Sequence, residues 1–177
     1  LLADFDGVPL VRRMASLVCA SKVSGVFGVV GHMSERVRQA LEGVDMELVE
    51  NPHHADGLAS SIKAGFAALP DDADGVLIML ADMPSVSAAD IDRLIASFHK
   101  REGRAVVRAT HGGKRGNPVL LPRALFPEIR KLTGDIGARH VVESGLVDIV
   151  NVEIGAVASI DIDTPEAMLR AGGVLVD

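Results

Sequence analysis

Apolar residues fall into two rhythms that take turns along the chain. Residues 8–21 place Leu10, Met14, Leu17 and Val18 at the spacing of one helix face, and 26–30 form a short apolar run of the kind a buried strand carries. Ser34 can cap a helix over 35–41 that Gly43 ends, and 46–49 reads as a strand leading into Glu50-Asn51-Pro52. A helix over 57–69 sets Leu58, Ile62, Phe66 and Leu69 on one side and stops at Pro70. After a strand over 76–81 comes Ser87-Ala88-Ala89-Asp90, a capping box with a shorter acid, and then the stripe Ile91, Leu94, Ile95 and Phe98. Strands over 105–109 and 118–121 flank a polar, glycine-rich loop, and Pro122 puts the second at an edge or a strand end. Helices over 123–132 and 136–144, the latter capped by Asp135, precede strands over 147–152 and 158–161. Thr164-Pro165-Glu166 opens a last helix, with a capping hydroxyl, a first-turn proline and an acid at the positive end of the dipole, and Gly172-Gly173 ends it.

This alternation predicts the α/β class: one domain over 1–177, built as a three-layer α/β/α sandwich. Its sheet is expected to be mostly parallel and Rossmann-like, with a small antiparallel part near 105–121. A chain of 177 residues, 48% hydrophobic and 24% charged, can bury one sizeable core. No apolar run approaches the roughly 20 residues that span a bilayer, so no membrane partner is expected. The net charge of −6 and the absence of Trp and Tyr argue against nucleic acid, which wants a basic face and stacking platforms. A lone cysteine, Cys19, excludes an intramolecular disulfide and a thiolate-rich zinc site, which fits a reducing, cytoplasmic setting.

The candidate chemistry is acidic. Residues 75–84 read Gly-Val-Leu-Ile-Met-Leu-Ala-Asp-Met-Pro, an apolar strand, expected to be central and parallel, that stops at a carboxylate. Asp82 then sits at the carboxyl end of a strand, where open α/β sheets bind ligands. Asp161 and Asp163 alternate on a predicted strand, so one of the two faces the same side as the site, while Asp163 could equally cap the helix at Thr164. Two carboxylates ~4 Å apart repel by about 4 kcal/mol at an effective dielectric of 20, which a divalent cation offsets. The loop over 111–118 reads either as a basic clamp over an anion or as a plain hairpin turn, and it lacks the Gly-Lys-Ser/Thr ending of a Walker loop. Residues 51–61 run from a strand end into a helix start, where backbone N–H groups can face an anion or a base edge. His53 and His54 are adjacent and point apart, as loop histidines without a metal do. The glycines at 25, 28 and 31 have the wrong spacing for a dinucleotide fingerprint.

Taken in order, Asn51-Pro52 with Gly57, Ser60, Ser61 and Gly65, then Leu80-Ala81-Asp82-Met83-Pro84, Gly116-Asn117-Pro118-Val119, residues 133–139 and residues 161–166 resemble the MobA-like nucleotidyltransferases. The likeness is strongest to the molybdopterin cytidylyltransferase branch. The resemblance implies a fold of the nucleotide-diphospho-sugar transferase type. It implies a magnesium-dependent enzyme that moves a nucleoside monophosphate from a nucleoside triphosphate to a molybdopterin-type phosphate. CTP is favoured, with GTP as the alternative, and a molybdoenzyme is the implied protein partner. Asp82 would be the catalytic metal ligand, with Asp161 or Asp163 as the second. Asn51, Gly57, Ser60 and Ser61 would hold base and ribose. Asn117, Gly134, Asp135 and Arg139 would lie towards the acceptor. In this family a strand and a Gly-rich, Arg-containing loop ending in lysine directly precede Leu-Leu. The chain starts at Leu1-Leu2, so that strand and phosphate loop are expected ahead of it, outside the 177 residues. A sugar-phosphate or other small-molecule nucleotidyltransferase, and a non-catalytic module that presents a cofactor, are the alternatives.

Overall fold

The computed structural model describes residues 1–134 and 137–160, with Leu169, Gly173 and Val174 beyond them. A hairpin of β1 (Asp4–Phe5) and β2 (Val8–Pro9) leads into α1 (Leu10–Cys19). β3 (Phe27–Val30), α2 (Ser34–Ala40) and β4 (Glu47–Glu50) form a β-α-β unit whose strands pair in parallel from Phe27↔Glu47 to Val30↔Glu50. Then come α3 (Leu58–Ala67), β5 (Gly75–Ile78), α4 (Ala88–Lys100), β6 (Val106–His111) and β7 (Lys114–Pro122). Two short helices, α5 (Phe126–Ile129) and α6 (Arg139–Val142), precede β8 (Ile149–Glu153) and a 3-10 turn over Ala156–Ser159.

The principal sheet has the order β5-β7-β6-β8. β7 is antiparallel to both β5 and β6, and β8 is parallel to β6. It follows that β5, β6 and β8 point the same way, so their carboxyl ends share one rim with the start of β7. The mixed α/β sandwich is as expected, with the antiparallel strand where the sequence placed it.

Alternation along the strands builds the layers. Leu77, Val107, Ala109 and Leu120 face α4, whose Ile91, Leu94, Ile95 and Phe98 are buried as the helical stripe requires. Val76, Ile78, Val106 and Leu121 face the other way, onto Phe66 of α3, Phe126 and Ile129 of α5, and Val141 and Val142 of α6. Ser87 and Asp90 close the expected capping box on α4.

Of the two readings of Pro122, the strand end holds: β7 is an inner strand with Pro122 at its end, opposite Gly75. Four expectations need correction. β5, expected to be central and parallel, is the edge of its sheet among the described residues and pairs only with β7, antiparallel. The strand expected over 76–81 ends at Ile78. Its last partner is Val119, and the next pairing would fall on Pro118, which has no N–H to give. The helix expected over 123–132 is broken into a 3-10 turn over Arg123–Leu125 and α5, with Pro127 at its start. Residues 156–159 are a 3-10 turn, where 158–161 was expected to be a strand. The helix that starts at Thr164 lies outside the described residues. Among the described residues no helix is long and apolar enough to cross a membrane.

Candidate active site

Asp82 stands in a turn four residues past the end of β5, half-buried, with its Oδ1 shielded from solvent. The turn is fixed from beneath, since Met83 and Val86 are 1% and 2% exposed and belong to the core under α4. Ala158, also 1% exposed, belongs to that same core, together with Ile154 and the partly buried Val157. The turn holding Asp82 and the chain running towards residue 161 are therefore seated on one cluster of apolar side chains. Asp161 and Asp163 themselves, and Asp135, lie outside the described residues.

The third part of the rim is the hairpin between β6 and β7. Gly112 and Gly113, at φ +54° and +75°, make its tip, and most of the loop expected over 111–118 is strand. The segment is thus a hairpin turn between β6 and β7. Glu153, the last residue of β8, ties it down. Its carboxylate accepts from Gly112 N at 3.1 Å, Gly155 N at 3.2 Å and Thr110 Oγ1 at 3.2 Å. Desolvation pushes the Glu153 pKa up, but the hydrogen bonds from Gly112, Thr110, Gly113 and Gly155 outweigh it and hold the carboxyl below the usual glutamate range. A lowered pKa means this tether is complete above pH 4.5, the ordinary value, and is lost as pH falls through the lower native value. The Gly112 amide resonance is expected to titrate with a midpoint below 4.5, and Glu153→Gln is expected to abolish that titration.

Asn117 follows Gly116 on β7 and precedes Pro118 through a cis peptide bond. Since Ile78 pairs with Val119, Asn117 lies past the end of β5, on the side where the chain turns to Asp82. Arg139, which the resemblance turns towards an acceptor, bonds to Glu143 at 3.4 Å, and Arg115 of β7 pairs with the same carboxylate. Desolvation raises the Glu143 pKa, but the two arginines outweigh it and lower the net value. The triad links α6 to the hairpin.

Asn51, Gly57, Ser60 and Ser61 do come together. Asn51 is 3% exposed. Its Nδ2 donates to Ser60 Oγ at 2.8 Å and Ser61 Oγ at 3.0 Å, while its Oδ1 accepts from His53 N at 3.0 Å. Ser60 Oγ donates onward to Gly57 O at 2.8 Å. Gly57, at φ +95°, takes the cap position of α3 in a conformation that side chains disfavour. Gly134 O accepts from Ala59 N at 3.1 Å, so part of the helix start is already capped by the chain itself. These polar groups build the pocket wall, and both N–H bonds of the Asn51 amide are spent on it. Asn51→Ala would strip the serines and the His53 amide of their buried partner, and a loss of about 2 kcal/mol is expected in urea denaturation.

Two clefts flank this ground. One, of about 570 Å³, is lined by Asn51, His53, Asp56, Ser60, Lys63 and Gly134. The other, of about 770 Å³, lies between α1 and the turn after Asp82, lined by Arg13, Leu17, Pro84 and Ser85 among others. Lys63 and Arg13 carry no motif of their own, since each lies on a helix whose pattern is set by its apolar stripe.

The family model for the MobA-like NTP transferase domain matches residues 1–149. The chain belongs to the MobA-like NTP transferase family. It is 34% identical over 103 residues to the purine catabolism protein PucB of Bacillus subtilis, covering 53% of this chain and 45% of that protein. It is 30% identical over 113 residues to the bifunctional protein GlmU of Koribacter versatilis, covering 62% of this chain and 23% of that one. The chain thus spans less than half the length of these relatives. The solved structure of Rv0371c of Mycobacterium tuberculosis in complex with manganese superposes with a TM-score of 0.78 at 22% identity, over 96% of this chain and 88% of that one. The molybdopterin-guanine dinucleotide biosynthesis protein A of Archaeoglobus fulgidus does so with a TM-score of 0.65 at 14% identity, over 95% and 86%. Both likenesses are of fold.

Proposed function

We propose that this nucleotidyltransferase domain moves a nucleoside monophosphate from a nucleoside triphosphate, CTP before GTP, to a phosphorylated acceptor of the molybdopterin type. An oxygen of the acceptor phosphate bonds to the α-phosphorus, the bond from the α-phosphorus to the bridging oxygen breaks, and pyrophosphate leaves. The observation that carries this reading is the shared rim. The Asp82 turn, the start of β7 with Asn117, and the 3-10 turn leading towards Asp161 all gather at the carboxyl ends of β5, β6 and β8.

Asp82 offers a hard oxygen donor of the kind magnesium takes. Among the described residues no group of three or more His, Cys, Asp or Glu side chains gathers to hold a metal. The remaining ligands would be Asp161 or Asp163 and the phosphates of the nucleotide; that the fold neighbour Rv0371c was solved in complex with manganese supports a divalent cation. Bound there, the cation would stabilise charge developing on the phosphates by several kcal/mol. The chain's own part is positioning, with the Asn51 network shaping the nucleotide wall and the hairpin holding Asn117.

Among the described residues β3 pairs only with β4, and β5 pairs on one edge only, with β7. Open edges on both suit the preceding strand that the resemblance implied, whose loop would hold the leaving pyrophosphate. A molybdoenzyme that receives the product, in the cytoplasm, completes the reading.

The test is a thermal-shift panel of CTP, GTP, ATP and UTP with magnesium, followed by pyrophosphate release with a molybdopterin acceptor and, separately, with sugar phosphates. A triphosphate at 100 times its dissociation constant should add about 2.7 kcal/mol of stability. Stabilisation without pyrophosphate release would leave a binding module. Release with sugar phosphates alone would replace the acceptor.

A further inference from the structure

The polar groups that the sequence marked in the Asn51 cleft are occupied with one another, and this singles out a side chain that no motif marked. Both N–H bonds of the Asn51 amide go to Ser60 and Ser61, and the Ser60 hydroxyl donates to Gly57 O. His53 Nδ1 stands 3.7 Å from Asp56 Oδ2. Lys63 lines the same cleft from α3, one turn beyond Ser60, and faces the chain at Thr133-Gly134. It is half-buried, and among the described residues it makes no ion pair and no hydrogen bond. Its neighbours on the helix, Ile62 and Phe66, pack into the core and hold that turn rigidly. A half-buried lysine that lines a cleft and is unpaired among the described residues offers its ammonium to an anion.

We propose that Lys63 binds a phosphate oxygen of the ligand in this cleft and is the cation that positions it. The inference rests on the reading of the chain as a nucleotidyltransferase and adds a ligand-contacting residue to it. The phosphate could belong to the nucleoside triphosphate or to the acceptor, and both present the same chemistry to an ammonium group.

Isothermal titration separates these sources without relying on turnover. Wild-type protein, Lys63→Gln and Lys63→Arg are each titrated with CTP, with GTP, with the unphosphorylated nucleosides, and with ribose 5-phosphate as a simple phosphomonoester. Loss of one charged hydrogen bond predicts that Lys63→Gln binds its phosphate-bearing probe about tenfold to a hundredfold more weakly, with Lys63→Arg retaining most of the affinity. Weakening confined to the triphosphates assigns Lys63 to the nucleotide, and weakening confined to the phosphomonoester assigns it to the acceptor. Equal weakening of nucleosides and nucleotides would mean that Lys63 reads the base, and would overturn the proposal. So would unchanged binding of every probe, or a wild type that binds none of them. Circular dichroism of both variants confirms that the helix is intact. If phosphate binding depends on Lys63 while no pyrophosphate is ever released, the transferase reading fails and this inference stands.

Discussion

Asp82→Asn is expected to slow pyrophosphate release by about a hundredfold to a thousandfold while leaving the fold in place. The substitution keeps the shape of the side chain and removes its charge. The charge is what would hold the cation, and the turn stands without it, because Met83 and Val86 anchor it in the core at 1% and 2% exposure. Stabilisation of developing phosphate charge by a metal is worth several kcal/mol, and each ~1.4 kcal/mol is a factor of ten in rate. The midpoint of urea denaturation should shift by less than about 1 kcal/mol-equivalent, as for a rim substitution that creates no cavity. A second readout isolates the metal: the part of the triphosphate thermal shift that needs magnesium should vanish in the variant, and the part that does not should remain. Turnover close to wild type at saturating magnesium would remove Asp82 from the reaction.

Much of the architecture could be read from the chain, for reasons that particular residues make plain. Leu94 and Phe98 recur at helical spacing beside a capping box, and local and tertiary preferences agree there, so α4 formed as expected. The apolar run after Gly75 named a covered strand because both of its faces are in fact covered, by α4 on one side and by α3 and α5 on the other. What escaped reading depended on partners distant in sequence. The end of β5 at Ile78 is set by Pro118, forty residues on, and nothing in 76–81 could announce it. Glu153 looks like an ordinary strand-end acid until the fold brings the Gly112 amide to it. One signal was legible and unused: Asp6-Gly7 between Phe5 and Val8, both at positive φ, is the dipeptide of a tight hairpin turn, and it forms the β1–β2 hairpin where a helix start was expected. In the site, Asn51, Gly57, Ser60 and Ser61 assemble as a unit, while the Glu143 partner of Arg139 could not be read in advance, because a charge's partner depends on which elements the fold lays beside it.

Gly116 is where a single added methyl group should do the most damage to the rim. A Cβ placed on it would come 2.1 Å from the carbonyl oxygen of Ala158 and 2.8 Å from its Cβ. Those atoms belong to the backbone and first side-chain carbon of the 3-10 turn over Ala156–Ser159, so no flexible side chain can swing aside. Glycine inside a strand often marks such a close approach of another backbone. Gly116→Ala is therefore expected to push the turn off β7, at a cost of about 1–3 kcal/mol in urea denaturation. Ala158 belongs to the same core cluster as Met83, so the displacement is expected to reach the anchor of the Asp82 turn and to shift the chain that leads to Asp161. Activity measured well inside the folded plateau should then fall by more than the lost stability explains, because catalysis by positioning is sensitive to shifts of about 1 Å. Gly113→Asn is the matched control. At φ +75° Gly113 sits at the hairpin tip with nothing within 4 Å of an added Cβ, and asparagine tolerates that conformation. It should cost little in stability or rate. If Gly116→Ala instead matches Gly113→Asn in both measurements, the contact between β7 and residues 156–159 is not what holds the rim together.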